Sequence, residues 1–178
     1  MESSNTMEIR RLNAAEGLRY IGSLAEVLVD CVEGGASVSF MTPFSMAEAE
    51  EFFSGVIDQV ERGNRILLAA FDGEELTGTV QVITALPPNQ PHRAEFAKLL
   101  VRRSARGRGV ARLLMEFAEE CARMAGKTLV TLDTVTGSTA ERLYLRLGWT
   151  KAGVIPNYAL YPDGRFCDTT IFWKDLSR

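Results

Sequence analysis

The sequence has little cysteine, almost no histidine and no long apolar run, and each shortage excludes something. Cys31, Cys121 and Cys167 are odd in number and widely spaced, with no C-x-x-C pair, and His92 is the single histidine. A disulfide scaffold and a structural zinc set are therefore excluded. Reduced thiols of this kind fit a cytoplasmic protein, which is the expected location. No apolar stretch approaches a membrane span, and residues 1–7 are polar rather than a signal peptide. Met7 offers an alternative start, and residues 1–6 read as a flexible lead. Positive charge is not in excess either: 20 Lys and Arg stand against 23 Asp and Glu, a net charge of −3. With a pI of about 5.3, a dedicated nucleic-acid binder is excluded, because that role calls for a strongly basic domain.

What remains is an ordinary globular composition, 46% apolar and 24% charged over 178 residues, read as one domain over residues 7–178. Residues 8–12 form a first strand. Asn13 with Glu16 is a capping box that opens a helix running to about Glu33, with Leu24, Val27, Leu28 and Cys31 on its apolar stripe. Residues 36–41 read as a loop or short strand. Ser45 with Glu48 caps a second helix, whose Phe52, Phe53, Val56, Ile57 and Val60 read as core. Residues 65–71 and 76–86 are strands joined by an Asp72-Gly73 turn. Residues 93–101 form the next strand. The helix of residues 110–125 carries Val110, Leu113, Leu114, Phe117, Ala118, Cys121 and Met124 on one side. Arg112, Glu116, Glu119, Glu120 and Arg123 fall on the other. Residues 128–134 are a strand, and Ser138 with Glu141 opens a helix ending at Gly148. Strands over 151–155 and 168–174 close the chain, joined by residues 157–166. The order is β-α-α-β-β-β-α-β-α-β-β. His92 reads as a surface residue.

The most distinctive stretch lies between the fourth strand and the third helix. It holds Arg102, Arg103, Arg106, Arg108 and Arg112, with Gly107 and Gly109 among them. A helix N-terminus offers unpaired N–H groups and partial positive charge to an anion. Glycines let the backbone turn into positive φ and approach phosphate oxygens closely. Three readings compete: an ordinary loop of solvated arginines, a nucleic-acid contact, and a cradle for a nucleotide cofactor's pyrophosphate. No Gly-Lys-Ser/Thr follows, so this is not a P-loop. Arg112 occupies the third glycine position of G-x-G-x-x-G, so it is not a Rossmann fingerprint either.

Arg106-x-x-Gly109-x-Ala111 resembles the acetyl-CoA motif of the GNAT superfamily of N-acetyltransferases, and the element order is also that of the family. Residues 140–149, with Ala140, Leu143, Tyr144, Gly148 and Trp149, are similar to its second cofactor segment. There Gly137 stands where an Asn often contacts the cofactor, and Trp149 replaces Phe. Residues 34–41, 93–99, 104–109, 132–134 with 137–138, and 162–165 are similar to a subgroup, the tabtoxin-resistance acetyltransferases, which act on a small amino-acid-like toxin.

The resemblance implies an α/β (α+β) fold: a mixed, mostly antiparallel sheet of about seven strands with four helices. It implies acetyl-CoA as co-substrate, bound by Leu99, Leu100, Val101, Arg106, Gly107, Arg108, Gly109, Val110, Ala111, Ser138 and Tyr144. It implies a small-molecule amine as acceptor, no nucleic-acid or membrane partner, and a monomer or homodimer. The residues matching the subgroup's catalytic carboxylates are Glu95 and Asp133.

Amine acetylation supports those roles chemically. An aliphatic amine with a pKa near ~10 must lose a proton before it attacks. Two close carboxylates raise one another's pKa and make a better base. Tyr144 is the candidate donor to the departing thiolate. A bulged strand near Leu99 is expected to free a backbone N–H for the developing oxyanion. Each residue also has a plainer reading: Glu95 paired with Arg93 or Lys98, Asp133 capping the turn at Gly137, Tyr144 packed in the core. Tyr158, Tyr161 and residues 34–41 are candidate walls of the acceptor pocket. No cysteine motif supports a covalent acetyl-enzyme, so transfer is expected to be direct, in a ternary complex. A non-catalytic acyl-CoA-binding module and a protein-modifying acetyltransferase are the alternatives.

Overall fold

A computed structural model describes residues 7–177. The lead expected over residues 1–6 lies outside the described residues. Seven strands form one sheet in the order β1-β2-β3-β4-β5-β7-β6. The strands are β1 (Met7–Leu12), β2 (Arg65–Asp72), β3 (Glu75–Ile83), β4 (Arg93–Val101), β5 (Leu129–Val135), β6 (Thr150–Leu160) and β7 (Phe166–Asp175). Every neighbouring pair is antiparallel except β4 and β5.

The sheet is covered on both faces, which explains the unbroken apolar run of β2. Ile66, Leu68 and Ala70 point into a core shared with α4 (Val110–Met124) and Tyr144 of α5 (Thr139–Arg146). Leu67, Ala69 and Phe71 point the other way, onto α2 (Ile21–Glu33) and α3 (Met46–Glu61). The strand-period and helix-period patterns are thus two views of the same burial.

The capping boxes of Asn13 with Glu16 and Ser45 with Glu48 both form. The third forms in part: Ser138 Oγ accepts from Glu141 N–H, but the Glu141 carboxylate reaches back to Gly137 N–H. The Ser138 N–H is already given to the Val135 carbonyl.

Four sequence expectations are corrected. The first helix is two: α1 (Ala14–Arg19) ends at Tyr20, which has φ −101° and ψ 10°, before α2 begins. Tertiary packing turns the chain there. The Tyr20 ring lies edge-on to Phe71 at 5.0 Å, and Gly17 sits so close to Ile57 that a Cβ would come within 2.9 Å of it. The sheet therefore carries five helices rather than four. The final connection is mostly strand: β6 runs to Leu160, five residues beyond its expected end. Glu119 is buried, not on the solvent side, because it accepts from Trp149 Nε1 at 2.9 Å and Lys174 Nζ at 2.7 Å. Met124, placed on the apolar stripe, is exposed at the helix end.

Candidate active site

The site begins with a fault in the sheet. Across β3 and β4, Gln81 faces Ala97 and Thr79 faces Leu100, so β4 carries one extra residue. That residue is Lys98, whose φ is 54°. The expected bulge is present, and it bends β4 away from β5. Parallel pairing with β5 stops at Glu95 opposite Thr131. Beyond that point the two strands part and a cavity of about 680 Å³ opens between them. Phe96, Lys98 and Leu99 line it on one side, Leu132 and Asp133 on the other. The β5-facing backbone groups of β4 in this stretch have no ladder partner.

At one mouth of the cavity lies the Arg/Gly loop. Gly107 and Gly109 have φ of 77° and 81°, and Gly109 is the N-cap of α4 with no side-chain cap. The amides of residues 107–112 find no acceptor among the described residues. Six free N–H groups at a helix start are a built anion cradle, so the residues present fit a pyrophosphate. The arginines behave differently from the sequence expectation. Arg102 pairs with Glu26, Arg103 with Asp30, Arg108 with Asp72 and Arg112 with Glu116, at 2.6–3.3 Å. Of the five, Arg106 alone lines the cavity, its Nε donating to the Val101 carbonyl. Among the described residues the loop thus offers free backbone amides and Arg106, with the other four arginines already paired. Leu100 packs into the α2–α3 core, while the Val101 carbonyl holds Arg106 at the loop.

The three candidate catalytic residues do not gather as one group. Tyr144 is buried on α5 and lines the cavity. Burial pushes its phenol pKa well up, with the Asp133 carboxylate adding to the rise. Among the described residues its hydroxyl has no hydrogen-bond partner. Asp133 lines the cavity, and its Oδ2 accepts from the Thr169 hydroxyl at 3.0 Å rather than capping the turn at Gly137. Glu95 lies on the same sheet face but does not line the cavity. Its carboxylate is held by Arg93 Nη1 at 2.8 Å, and that nitrogen also donates to Thr131 Oγ1. Each carboxylate thus has its own donor, Arg93 for Glu95 and Thr169 for Asp133. Ser138 lines the cavity with its hydroxyl committed as the α5 cap.

Sequence reasoning gave Lys98 and Thr169 no role in the site. No local signal marks either; they matter because of the bulge and the β5–β7 register. The roof, in contrast, uses the loops singled out beforehand. Ser37 Oγ donates to the Leu160 carbonyl at 2.6 Å, and Cys167 Sγ to Ser37 Oγ. Thr42 donates through both N–H and Oγ1 to the Pro162 carbonyl. The segment of residues 34–44 is therefore tied across the β6–β7 hairpin, with Tyr158 and Tyr161 in the wall.

Both the sequence and the overall fold are matched in known proteins. The profile of the acetyltransferase (GNAT) family matches residues 36–149. The chain belongs to the GNAT acetyltransferase family. Acetyl-CoA is the co-substrate of that family. Rat N-acetyltransferase 8B is 34% identical over 95 residues, covering 52% of this chain and 42% of that protein. The match thus spans less than half of that relative. Among solved GNAT-like folds, a Salmonella typhimurium protein described as an acetyltransferase with its cofactor acetyl-CoA superposes with a TM-score of 0.79 at 19% identity, covering 98% of this chain and 96% of the other. A structure described as a phosphinothricin N-acetyltransferase gives 0.80 at 20%, covering 97% and 100%. At these identities the likeness is one of fold. No helix among the described residues is long and apolar enough to cross a membrane.

Proposed function

We propose that this GNAT protein is an N-acetyltransferase that moves an acetyl group from acetyl-CoA to the amine of a small, amino-acid-like molecule, by direct transfer. One observation carries the small-acceptor reading: the roof of residues 34–44 is hydrogen-bonded across the cavity to Leu160 and Pro162. A protein substrate needs an open groove for its chain, and this roof crosses it. The sequence resemblance to the tabtoxin-resistance subgroup and the fold likeness to a phosphinothricin acetyltransferase point the same way. The acidic net charge suits a cationic acceptor. The buried free thiols suit a cytoplasmic setting.

Acetyl-CoA supplies an activated acetyl thioester. The free amides of residues 107–112 and Arg106 bind its pyrophosphate at the positive end of α4. The N–H groups freed by the bulge at Lys98 and Leu99 donate to oxygen as negative charge develops. Asp133, steadied by Thr169, holds the acceptor ammonium and takes its proton on the way to solvent. Glu95 is neutralised by Arg93, which also donates to Thr131, so it positions the β4–β5 edge rather than accepting the proton itself. Tyr144 stays protonated at every working pH, because its pKa is raised. Its unpartnered hydroxyl is therefore a standing hydrogen-bond donor for the departing sulfur.

The test is coenzyme A release from acetyl-CoA against a panel of amines, amino acids and peptides. Release with small acceptors, reduced at least tenfold in kcat by Asp133→Asn with little change in KM for acetyl-CoA, is the expected result. Release with peptides alone would refute the small-acceptor reading, and acetyl-CoA binding with no release on any acceptor would leave a binding module.

A further inference from the structure

Three residues other than glycine have left-handed φ among the described residues: Ser39 (82°), Lys98 (54°) and Asn157 (53°). Ser39 and Lys98 line the cavity, and Asn157 precedes Tyr158, which also lines it. Such conformations cost a side chain free energy that glycine would not lose, and they persist where the surroundings fix them. Two of the three meet: Lys98 Nζ donates to Ser39 Oγ at 3.1 Å, with the Phe52 ring 5.9 Å away.

The charge around Lys98 is out of balance. Among the described residues no carboxylate lies within ion-pair distance of its Nζ. Arg65, on β2 two strands away, also lacks a carboxylate partner among the described residues. It gives Nη1 to Gln81 Oε1 at 2.6 Å, while its Nε and the Nε2 of fully buried Gln81 have no partner. Burial pushes the Lys98 ammonium pKa down, Asp133 across the cavity partly restores it, and Arg65 adds a smaller push downward. This corner thus holds two cations and two unused donors against one carboxylate. The Arg/Gly loop shows the opposite habit, where four of five arginines are neutralised within the chain. A partly buried cation left without a counterion is costly, unless a ligand brings the counterion.

We infer that Lys98 is a specificity-determining residue that receives the carboxylate of the acceptor. This rests on the N-acetyltransferase reading and narrows it. The acceptor carries an ammonium for Asp133 and a carboxylate for Lys98, which makes it a free amino acid or a close analogue rather than a simple amine. Arg65 and Gln81 supply positive potential behind Lys98.

The experiment uses matched acceptors that differ only in the carboxylate, such as leucine with isoamylamine and methionine with 3-(methylthio)propylamine. kcat/KM is measured for the intact protein and for Lys98→Met and Lys98→Arg. The intact protein is expected to favour the amino acid of each pair by at least tenfold. Lys98→Met should lose roughly ten- to hundredfold on the amino acid, mostly in KM, as expected when a charged hydrogen-bond partner is removed. The loss on the matched amine should be at least tenfold smaller than on the amino acid, and Lys98→Arg should keep part of the preference. A preference for the amines, or an equal loss on both members of each pair, overturns the assignment. Calorimetric binding of N-acetyl-leucine and N-acetyl-isoamylamine provides the readout that does not depend on turnover. If no acceptor releases coenzyme A, the transferase reading fails. The carboxylate anchor fails separately if Lys98→Met binds N-acetyl-leucine as well as the intact protein does.

Discussion

Gly78 connects packing to cofactor binding, and Gly78→Ala tests that connection. Gly78 lies on β3 opposite Val101. A Cβ there would stand 2.9 Å from the Leu100 carbonyl oxygen and 3.2 Å from both Leu114 Cδ1 and Val110 Cγ1. The carbonyl belongs to the strand backbone and cannot give way cheaply. The first turn of α4 must therefore move outward by a few tenths of an ångström, and the amide cradle moves with it. Burying one methyl returns about 0.8 kcal/mol, while overpacking costs about 1–3 kcal/mol. The net expectation is a loss of up to about 2 kcal/mol. At roughly 2–4 °C per kcal/mol for a domain of this size, Tm falls by up to about 8 °C. The same shift lengthens several amide contacts, and a loss of about 1 kcal/mol there raises the KM for acetyl-CoA roughly fivefold. Thermal melts and steady-state kinetics with saturating acceptor read both quantities. Gly55→Ala is the control: it lies in exposed α3 with nothing within 4 Å of its Cβ. It should stabilise by about 0.5–1 kcal/mol and leave KM alone. If Gly78→Ala changes neither Tm nor KM, Gly78 does not set the seating of α4.

Three more outcomes are expected. Arg106→Met should raise the KM for acetyl-CoA about tenfold at low salt, while Arg108→Met, whose guanidinium is already committed to Asp72, should change it far less; equal effects would restore the arginine-cluster reading. Tyr144→Phe should lower kcat at least tenfold with Tm nearly unchanged, because the hydroxyl makes no hydrogen bond that folding depends on; kinetics and a melt on the same sample check it. Glu141 is held below the usual carboxylate range by the Gly137 N–H, which outweighs burial, with Thr170 and Lys151 adding to it. Its contribution is therefore present above about pH 4.3 and lost as the pH falls through the lowered value. Urea unfolding from pH 6 to pH 3 should show a shallower acid loss for Glu141→Gln than for the parent, and parallel curves would refute the assignment.

Much of the fold was legible because its signals are local. Capping boxes, the Asp72-Gly73 turn, the stop at Gly148 and the apolar stripes each reside within a short window, and each of these windows carries its own geometry. The errors fall where distant contacts decide. Tyr20 breaks a continuous helical pattern because Phe71 takes its ring. Glu119 reads as solvent-facing until Trp149 and Lys174 arrive from 30 and 55 residues away. The β6–β7 hairpin outruns its apolar pattern, since residues 156–158 bulge out of an edge strand that has no core face to bury.

The site divides along the same line. The sequence by itself determined the glycine-turned start of α4, the family to which that loop belongs and the residue types available for acid, base and anion binding. Backbone amides are present in every chain, so the loop motif needed only glycines at Gly107 and Gly109 and a helix after them. The tertiary structure alone decided which charges are free. Arg102, Arg103, Arg108 and Arg112 are neutralised by carboxylates from other elements or the next helical turn. Glu95 is bound to Arg93, while Asp133, Arg106, Tyr144 and Lys98 face one cavity. Free charge depends on what folding brings within a few ångströms, and that distance is set by the bulge at Lys98 and the parting of β4 from β5, neither of which has a sequence spacing of its own.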